Sequence, residues 1–380
     1  MKKKIKTLFL LGYLPEPRMY NRIKAAQEYS NVSLICWDRG LNMYPKPQID
    51  KVHVRIITIP AVNNPLKRII PYIRFKRIAS KLVDKAAPDI IHVRNLDMLE
   101  IACDYKKKHK QVTIIYEVAD IHRLLIDKQE GVFKKAAQKY LLFEDKRCGK
   151  KSDILIVSSE KYYDSYFHTF IPREKAIFIP NVPDLTVFDN YHKRQTKDPL
   201  VVGFIGAIRY KRQIDNLIVA AKACSLKVMI AGYENGENEI EVKWSKDPDV
   251  EWVGRFDFDK QVADLYGRCN IMHSVYDADI ENCRVALPNK LYEAVYCEMP
   301  LIVAKNTFLS QIVDDWGVGV SVDHNDVEEL KTVFMKFKED PTYFKQFEAG
   351  YTAHKKDIDI RQYNIDLRKL VEKTVHEKLT

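Results

Sequence analysis

Short apolar runs alternate with amphipathic helical stretches along the chain, a pattern typical of parallel α/β architecture. In the first half, strands are predicted at 7–12, 32–37, 54–60, 89–93, 113–118, 153–159 and 176–180. Helical patterns lie between most of them, notably at 67–86 and 131–149. Several strand candidates are continuously apolar, as expected where helices cover both faces of a sheet. The pattern predicts an α/β fold.

The alternation of strand and helix patterns is interrupted once by a polar stretch and then resumes. Residues 189–199 are rich in Lys, Arg, Asn and Gln, and strand candidates resume at 200–206, 227–232, 250–254, 270–276, 300–304 and 319–322. The tail at 360–378 is helical with charged faces. We therefore predict a first domain over 1–185, a linker over 186–198 and a second domain over 199–350. A C-terminal segment, 351–380, is predicted to pack back on the first domain.

Composition narrows the class of protein. The 380 residues suffice for two domains, each with its own core, and 46% hydrophobic and 30% charged residues are ordinary for a globular protein. No apolar run is long enough to span a bilayer, and the basic start leads into a short apolar stretch without a cleavage site. Seven scattered cysteines without a C-x-x-C pair indicate reduced thiols. We expect a cytoplasmic protein.

The net charge of +10 calls for an anionic partner. Nucleic acid is not expected, because the chain has neither an aromatic-basic RNA signature nor zinc-finger spacing. An anionic membrane surface and a phosphate-bearing substrate fit the charge equally well.

One segment combines glycines with cations. A buried strand over 201–205 ends at Gly206, and a short loop then presents Arg209, Lys211 and Arg212 before a helical run at 213–223. Glycine lets the backbone approach a ligand closely, and a helix N-terminus favours anions. These cations could neutralise charge on a departing diphosphate. The alternative is a solvated basic loop; neither a P-loop nor a G-x-G-x-x-G is present.

A second segment, 286–304, opens a helix with polar residues. Pro288 stands where a first helical turn favours proline, and Asn289, Lys290 and Glu293 follow within two turns. A carboxylate there could accept hydrogen bonds from two vicinal hydroxyls, as on a ribose. The alternative for Glu293 is a first-turn acid favoured by the helix dipole.

These two segments together resemble the C-terminal domain of GT-B glycosyltransferases, especially the retaining enzymes of glycosyltransferase family 4. That group shows a G-x-x-x-x-(K/R) loop, here Gly206 to Lys211 or Arg212, and a P-x-K-L-x-E stretch, here 288–293. Its G-x-P-V-I-type strand has a counterpart at 298–303. Residues 179–184, 88–93 and 18–24 are similar to the family's I-P-N-G-V-D, P-D-I-I-H-x and R-v-x-x-x-A-x segments. The motifs follow the family's order over nearly the whole chain.

The resemblance implies two Rossmann-like domains facing across a cleft, and transfer of a hexosyl or other glycosyl group with retention. It implies that Arg209 and Lys211 or Arg212 hold the diphosphate of a UDP- or GDP-linked donor, and that Glu293 binds the ribose. Backbone amides near Asn289, Lys290 and Leu291 would face the phosphates. The acceptor would be a glycan or lipid-linked sugar in surface polysaccharide or glycoconjugate synthesis, and no cofactor or bound metal is implied.

The chain departs from the family pattern in three places. The first glutamate of the usual E-x7-E pair is Val285 here, and Glu281 is the nearest acid that could replace it in donor-sugar recognition. Ala207 stands where the family has an arginine after the glycine. A frequent H-D pair appears as Ala119 and Asp120, with His122 just after. An inverting reaction would require a base, and Asp120 or His122 are the candidates.

Two other signals are weaker. Asp277 and Asp279 form a D-x-D, which holds a metal in the GT-A fold, but acids so spaced are common by chance and we expect no metal. His92, at the end of a buried strand, either points into the cleft or is a structural histidine.

Residues 67–85 form a basic amphipathic stretch with seven cations and one acid, Asp84. Its interleaved isoleucines suit an anionic membrane surface. The alternative is a cationic helix packed on the sheet by its apolar face. Residues 106–110 and 134–135 are also basic, which favours a peripheral location on the inner face of a membrane.

Two other functions remain open. A nucleotide-sugar 2-epimerase shares the GT-B architecture, and a non-catalytic glycosyltransferase-like subunit would bind without turnover. A nicotinamide dehydrogenase is disfavoured because no glycine fingerprint opens the first domain.

Overall fold

The computed structural model describes residues 5–41, 44–62, 65–121, 123–126, 130–195, 199–234 and 236–379. The chain divides into two compact units. The first consists of Met1–Asn181 with Ile360–Thr380, and the second of Val182–Asp359. Each unit contains one parallel β-sheet with helices packed on it.

The elements alternate as the sequence predicts. Up to residue 181 they are β1 (Lys6–Leu11), α1 (Pro17–Gln27), β2 (Asn31–Asp38), β3 (His53–Thr58), α2 (Pro65–Ala86), β4 (Ile90–Arg94), α3 (Leu96–Lys108), β5 (Thr113–Val118), α4 (Arg123–Ile126), α5 (Val132–Gly149), β6 (Ile154–Val157), α6 (Glu160–Ser165) and β7 (Ala176–Phe178). From 182 onward they are β8 (Val201–Ile205), α7 (Lys211–Ala223), β9 (Lys227–Ala231), α8 (Glu239–Trp244), β10 (Val250–Gly254), α9 (Phe258–Gly267), β11 (Ile271–Ser274), α10 (Glu281–Val285), α11 (Lys290–Tyr296), β12 (Leu301–Ala304), α12 (Phe308–Trp316), β13 (Gly319–Val322), α13 (Val327–Glu339), α14 (Glu348–His354) and α15 (Ile360–Leu379). Short 3-10 turns lie at Phe167–Thr169, Arg173–Lys175, Leu185–Phe188, Tyr343–Phe347 and Lys355–Ile358.

The sheet of the first unit has the order β3-β2-β1-β4-β5-β6-β7, with all strands parallel. One face packs against α1 and α15, whose apolar residues form clusters with Phe9, Cys36 and Ile115. The opposite face carries α2, α3 and α5, because Phe75 of α2 stacks on Trp37 at 4.8 Å and α3 packs against both neighbouring helices. Both faces are covered, which explains the continuously apolar strands.

The C-terminal segment divides between the two units. The sequence predicts 351–380 as one segment on the first domain, but residues up to Asp359 belong to the second unit. Tyr351 and Ile358 are buried there, and His354 stacks on Trp316 at 4.4 Å. Only α15 joins the first unit, where Leu367, Val371 and Val375 pack on the sheet.

The stretch that the sequence predicts as a linker packs against the second unit over its described part. Phe188 is buried, and its ring lies 5.2 Å from that of Tyr266. The Tyr191 hydroxyl donates to the carbonyl of Cys297 at 3.0 Å. Residues 196–198 of this stretch lie outside the described part of the chain.

The second sheet has the order β10-β9-β8-β11-β12-β13 and is also parallel throughout. The strand order reverses between β8 and β11. In open parallel sheets, ligands bind beyond the carboxyl ends of the strands at such a reversal. The topology therefore predicts a ligand site at the residues that follow β8 and β11.

All seven cysteines are free and buried. Among the helices that the structure describes, none is both long and apolar enough to cross a membrane.

Candidate functional site

Glycines follow the two neighbouring strands β8 and β9. Gly206 follows β8 with a φ of 147°, and its amide donates to the carbonyl of Ala231 at 2.8 Å. Gly232 follows the neighbouring strand β9, and a Cβ placed there would lie 1.8 Å from the carbonyl oxygen of Gly206. Only glycine at position 232 allows this close approach of the two strand ends.

Replacing Gly232 by alanine is expected to destabilise the second unit by about 1–3 kcal/mol, because the methyl group must displace the Gly206 carbonyl. Urea denaturation of the purified variant measures this loss. The control is Gly12→Ala, whose methyl would meet its nearest neighbours at 3.5 Å and should change stability little. Equal stability of the two variants would contradict the close approach at Gly206.

The three predicted cations after β8 have different surroundings. Arg209 and Arg212 are exposed, and within the described residues neither side chain has a carboxylate partner. The ammonium of Lys211 lies 2.8 Å from Glu239 Oε1 and 3.3 Å from Glu234 Oε2. Its hydrogen bond with Glu239 raises the pKa of Lys211. Two cations are thus open to an anion, whereas Lys211 is already neutralised.

Glu234 was not singled out from the sequence. Its side chain is buried, and Oε1 accepts hydrogen bonds from the amides of Ile240 and Glu241 at 2.9 Å. The carboxylate thereby caps the start of α8 while its second oxygen faces Lys211. The signal available in the sequence was an acid between two glycines just after β9.

Lys290 and Glu293 form a buried ion pair at the start of α11. The Lys290 ammonium donates to Glu293 Oε2 at 2.7 Å, and the Tyr266 hydroxyl donates to the same oxygen at 2.5 Å. Glu293 is only 1% exposed. Burial raises the pKa of Tyr266 well above its usual value, and the charge of Glu293 adds to this, so Tyr266 stays a neutral donor.

The two segments that the sequence singled out meet at Lys290. Its Cε lies 3.9 Å from the position that a Cβ on Gly206 would take. The Cys283 thiol, on α10, donates to the Tyr210 hydroxyl in the loop after β8 at 2.9 Å. The ring of Tyr276, which follows β11, lies 5.5 Å from that of Tyr210. The end of β8, the residues after β11 and the start of α11 therefore form one neighbourhood at the sheet reversal.

The other residues predicted to bind the donor differ in the contacts that they make within the chain. Asn289 precedes α11 without a side-chain cap bond. The Leu291 amide already donates to the carbonyl of Pro288 at 3.2 Å, so it has an acceptor within the chain. Glu281 begins α10 and forms an ion pair with Arg284 on the same helix. Val285, which replaces the family's glutamate, is buried.

The two candidate bases lie in the first unit. Asp120 follows β5 and is exposed, and Tyr162 donates to its Oδ1 at 3.2 Å. His122 lies outside the described residues. Asp120 therefore stands at the carboxyl end of its strand, where parallel sheets bind ligands.

Asp277 and Asp279 share a histidine neighbour. His324 Nε2 lies 3.4 Å from Asp277 Oδ1 and 3.6 Å from Asp279 Oδ2. The three groups fall within 4.8 Å of one another and are partly or fully exposed. Such a spacing could hold a metal ion, but exposed acidic groups commonly lie this close without one.

His92 takes part in a buried charge network in the first unit. Its Nε2 lies 2.8 Å from Glu117 Oε2, and its ring stacks on Phe9 at 4.6 Å. Arg18 and Arg22 of α1 approach the same carboxylate at 2.8 and 3.4 Å. The surroundings of His92 favour its interpretation as a structural histidine. Glu117 was missed because it sits inside an otherwise apolar strand.

Comparison with known proteins agrees with this architecture. Residues 188–354 match the family model described as Glycosyl transferases group 1. The succinoglycan biosynthesis protein ExoL of Rhizobium meliloti (strain 1021) is 24% identical over 261 residues, which are 65% of this chain and 63% of that protein. The match thus spans less than two thirds of the relative's own length.

Solved structures resemble nearly the whole chain. Sucrose-phosphate synthase from Thermosynechococcus elongatus has a TM-score of 0.71 at 13% identity, with 97% of this chain and 98% of that chain covered. HepE from Anabaena in complex with UDP-glucose has a TM-score of 0.68 at 14% identity, with 97% and 100% covered. At such identities the likeness shows the fold.

The two parallel sheets with their packed helices match the two Rossmann-like domains of the GT-B fold. Residues 188–354, which make up most of the second unit, resemble the group 1 glycosyltransferases.

Proposed function

We propose that this chain transfers a sugar from a nucleoside-diphosphate donor, bound by its second unit, to a glycan or lipid-linked acceptor. The observation that carries the proposal is the ammonium of Lys290, which a buried carboxylate holds beside Gly206 at the sheet reversal. UDP-glucose is bound by HepE, and ExoL is named for succinoglycan biosynthesis. The first supports a nucleotide-sugar donor, and the second supports a role in the synthesis of a surface polysaccharide or glycoconjugate.

In this proposal the donor diphosphate meets Lys290, Arg209 and Arg212. An ammonium has three donors, so Lys290 can bond Glu293 and a phosphate oxygen together. The two arginines are exposed and lack carboxylate partners in the described part of the chain, and guanidinium groups suit phosphate geometry. The N-terminus of α7, which begins at Lys211, adds the favourable end of its helix dipole.

The contacts of Glu293 suggest a positioning role in addition to the ribose contact that its sequence position implied. Lys290 and Tyr266 already occupy two of the roughly four lone-pair sites of its carboxylate. We assign it first the positioning of Lys290. A contact with the donor ribose would use its remaining lone pairs. Glu281 is retained as the candidate acid for the donor sugar.

The proposed reaction proceeds with retention. The bond between the anomeric carbon and the donor phosphate breaks, and the anomeric carbon bonds to an acceptor hydroxyl oxygen. The hydroxyl proton passes to the departing phosphate, whose charge the cations stabilise. If the reaction were inverting, a protein base would take that proton, and Asp120 or His122 would supply it. The buried free thiols favour a reducing, cytoplasmic setting.

Donor binding is tested by ligand-induced stabilisation. UDP or GDP at a hundredfold excess over its Kd should stabilise the wild type by about 2.7 kcal/mol, seen as a rise in Tm. In Arg209→Ala with Arg212→Ala the shift should nearly vanish, because each charged hydrogen bond contributes about 1.5–3 kcal/mol. Lys246→Ala, an exposed cation of the same unit, is the matched control. Full affinity in the double variant would refute the assignment of the diphosphate.

Product analysis separates the remaining functions. Incubation with donor and acceptor should release nucleoside diphosphate and lengthen the acceptor. Epimerised donor without acceptor would instead identify the 2-epimerase, and binding without any turnover the non-catalytic subunit.

A further inference from the structure

Two helices of the first unit expose large apolar side chains. On α2 these are Ile69, Ile70 and Ile73, with Ile70 65% exposed. On α5 they are Val132 and Phe133, and Phe133 is 92% exposed. Tyr140 and Phe143 continue the exposed apolar surface of α5. Side chains of this size are normally buried, so a cluster of them in water indicates a contact surface.

The two helices lie on the same side of the first sheet. Both pack against α3. The Tyr72 hydroxyl of α2 donates to Glu100 of α3 at 2.9 Å, and Lys76 pairs with the same carboxylate at 3.4 Å. Burial raises the pKa of Tyr140 on α5, and the nearby charge of Glu100 adds to the shift. Glu100 is thus a common neighbour of α2 and α5.

Positive charge accompanies the apolar side chains. Helix α2 carries seven cations and a single acid, Asp84. The first turns of α5 carry Lys134, Lys135 and Lys139 without an acid before Glu144. Glu144 forms an ion pair with Arg147, and Asp145 is fully buried. The outward surface of both helices is therefore cationic.

We propose that α2 and α5 form a docking face for an anionic lipid bilayer. The docking face consists of apolar side chains that enter the headgroup region and of cations around them: Ile69, Ile70, Ile73, Val132, Phe133, Arg74, Arg77, Lys81, Lys134, Lys135 and Lys139. Its existence rests on these side chains alone. Its purpose, to bring the first unit to a lipid-linked acceptor, rests on the proposed function.

The chemistry of the docking face selects this partner. Aliphatic and aromatic side chains flanked by lysine and arginine match the boundary between acyl chains and anionic headgroups. Each such cation strengthens binding about fivefold. A second copy of the chain would bring the same positive charge against itself, and a nucleic acid would leave the isoleucines in water.

Vesicle flotation of the full chain tests the proposal. Wild type should rise with vesicles of equimolar phosphatidylglycerol and phosphatidylcholine, and less protein should rise at high salt. With vesicles of phosphatidylcholine alone, it should remain in the bottom fraction. Reversing Arg74, Arg77 and Lys81 to glutamate should weaken binding at least about 100-fold. Ile70→Ser and Phe133→Ser should each weaken it about tenfold.

The matched control reverses three exposed lysines on the opposite face of the sheet, Lys24, Lys369 and Lys373, for the same change in net charge. This control should retain most of the binding. Equal loss in both charge variants, or no binding by the wild type, would overturn the docking face. Dimers in solution that dissociate in the Phe133→Ser variant would also overturn it and indicate a self-interface. UDP and GDP binding, measured in parallel, should be unchanged, so failure of docking is distinguishable from failure of the donor site.

Discussion

Replacing Lys290 by methionine is expected to weaken UDP or GDP binding about 10- to 100-fold and to destabilise the second unit by about 3–5 kcal/mol. The first effect follows from the loss of a charged hydrogen bond to the diphosphate. The second follows because Glu293, which is 1% exposed and accepts from the Tyr266 hydroxyl, would keep its buried charge without the neutralising lysine. Calorimetric titration measures the affinity, and urea denaturation measures the stability.

A double variant separates the two effects. Adding Glu293→Gln removes the buried charge while leaving an amide oxygen that can accept from Tyr266. Lys290→Met with Glu293→Gln should recover most of the lost stability, since both members of the ion pair are gone. Its affinity for the nucleoside diphosphate should stay low. If the double variant bound UDP or GDP as tightly as wild type, Lys290 would have no contact with the phosphates.

The fold could be predicted from the sequence because its signals are local. The apolar run at 153–159 contains β6, Ile154–Val157, and the helical pattern at 131–149 matches α5, Val132–Gly149. Strands covered on both faces need apolar residues at nearly every position, and such runs stand out between amphipathic helices. The prediction of two Rossmann-like domains is confirmed by the two parallel sheets and by the solved structures.

The site could be predicted only in part, because its contacts join residues that are distant in sequence. Gly206 and Lys290 could each be singled out from the local sequence, but their proximity depends on the order of the strands. The bond from Tyr266 to Glu293 links α9 to α11 and leaves no local pattern. Likewise, the sequence gives no sign of the ion pairs of Lys211, because Glu234 and Glu239 approach it only in the folded unit.

The first unit contains a buried carboxylate, Glu117, and its removal should lower stability about as much as the loss of Lys290. Glu117→Gln is expected to destabilise this unit by about 3–5 kcal/mol, because Arg18 and Arg22 would remain buried without their carboxylate. Hydrogen exchange of the amides in β4 and β5 reports the opening free energy of this unit separately. Glu372→Gln, which breaks an exposed pair with Arg368, should change it by less than about 1 kcal/mol.

The pH dependence of the same variant tests the cause. Burial alone would raise the pKa of Glu117, but the charges of Arg22 and Arg18 and the hydrogen bond with His92 outweigh it and hold the pKa well below its usual range. A lowered pKa in the fold means that the carboxylate stabilises the first unit above about pH 4.3, its unfolded value, and loses this contribution as the pH falls further. Wild type should therefore lose stability in acid more steeply than Glu117→Gln. Parallel pH curves for the two proteins would show that the ion pairs of Glu117 do not stabilise the unit.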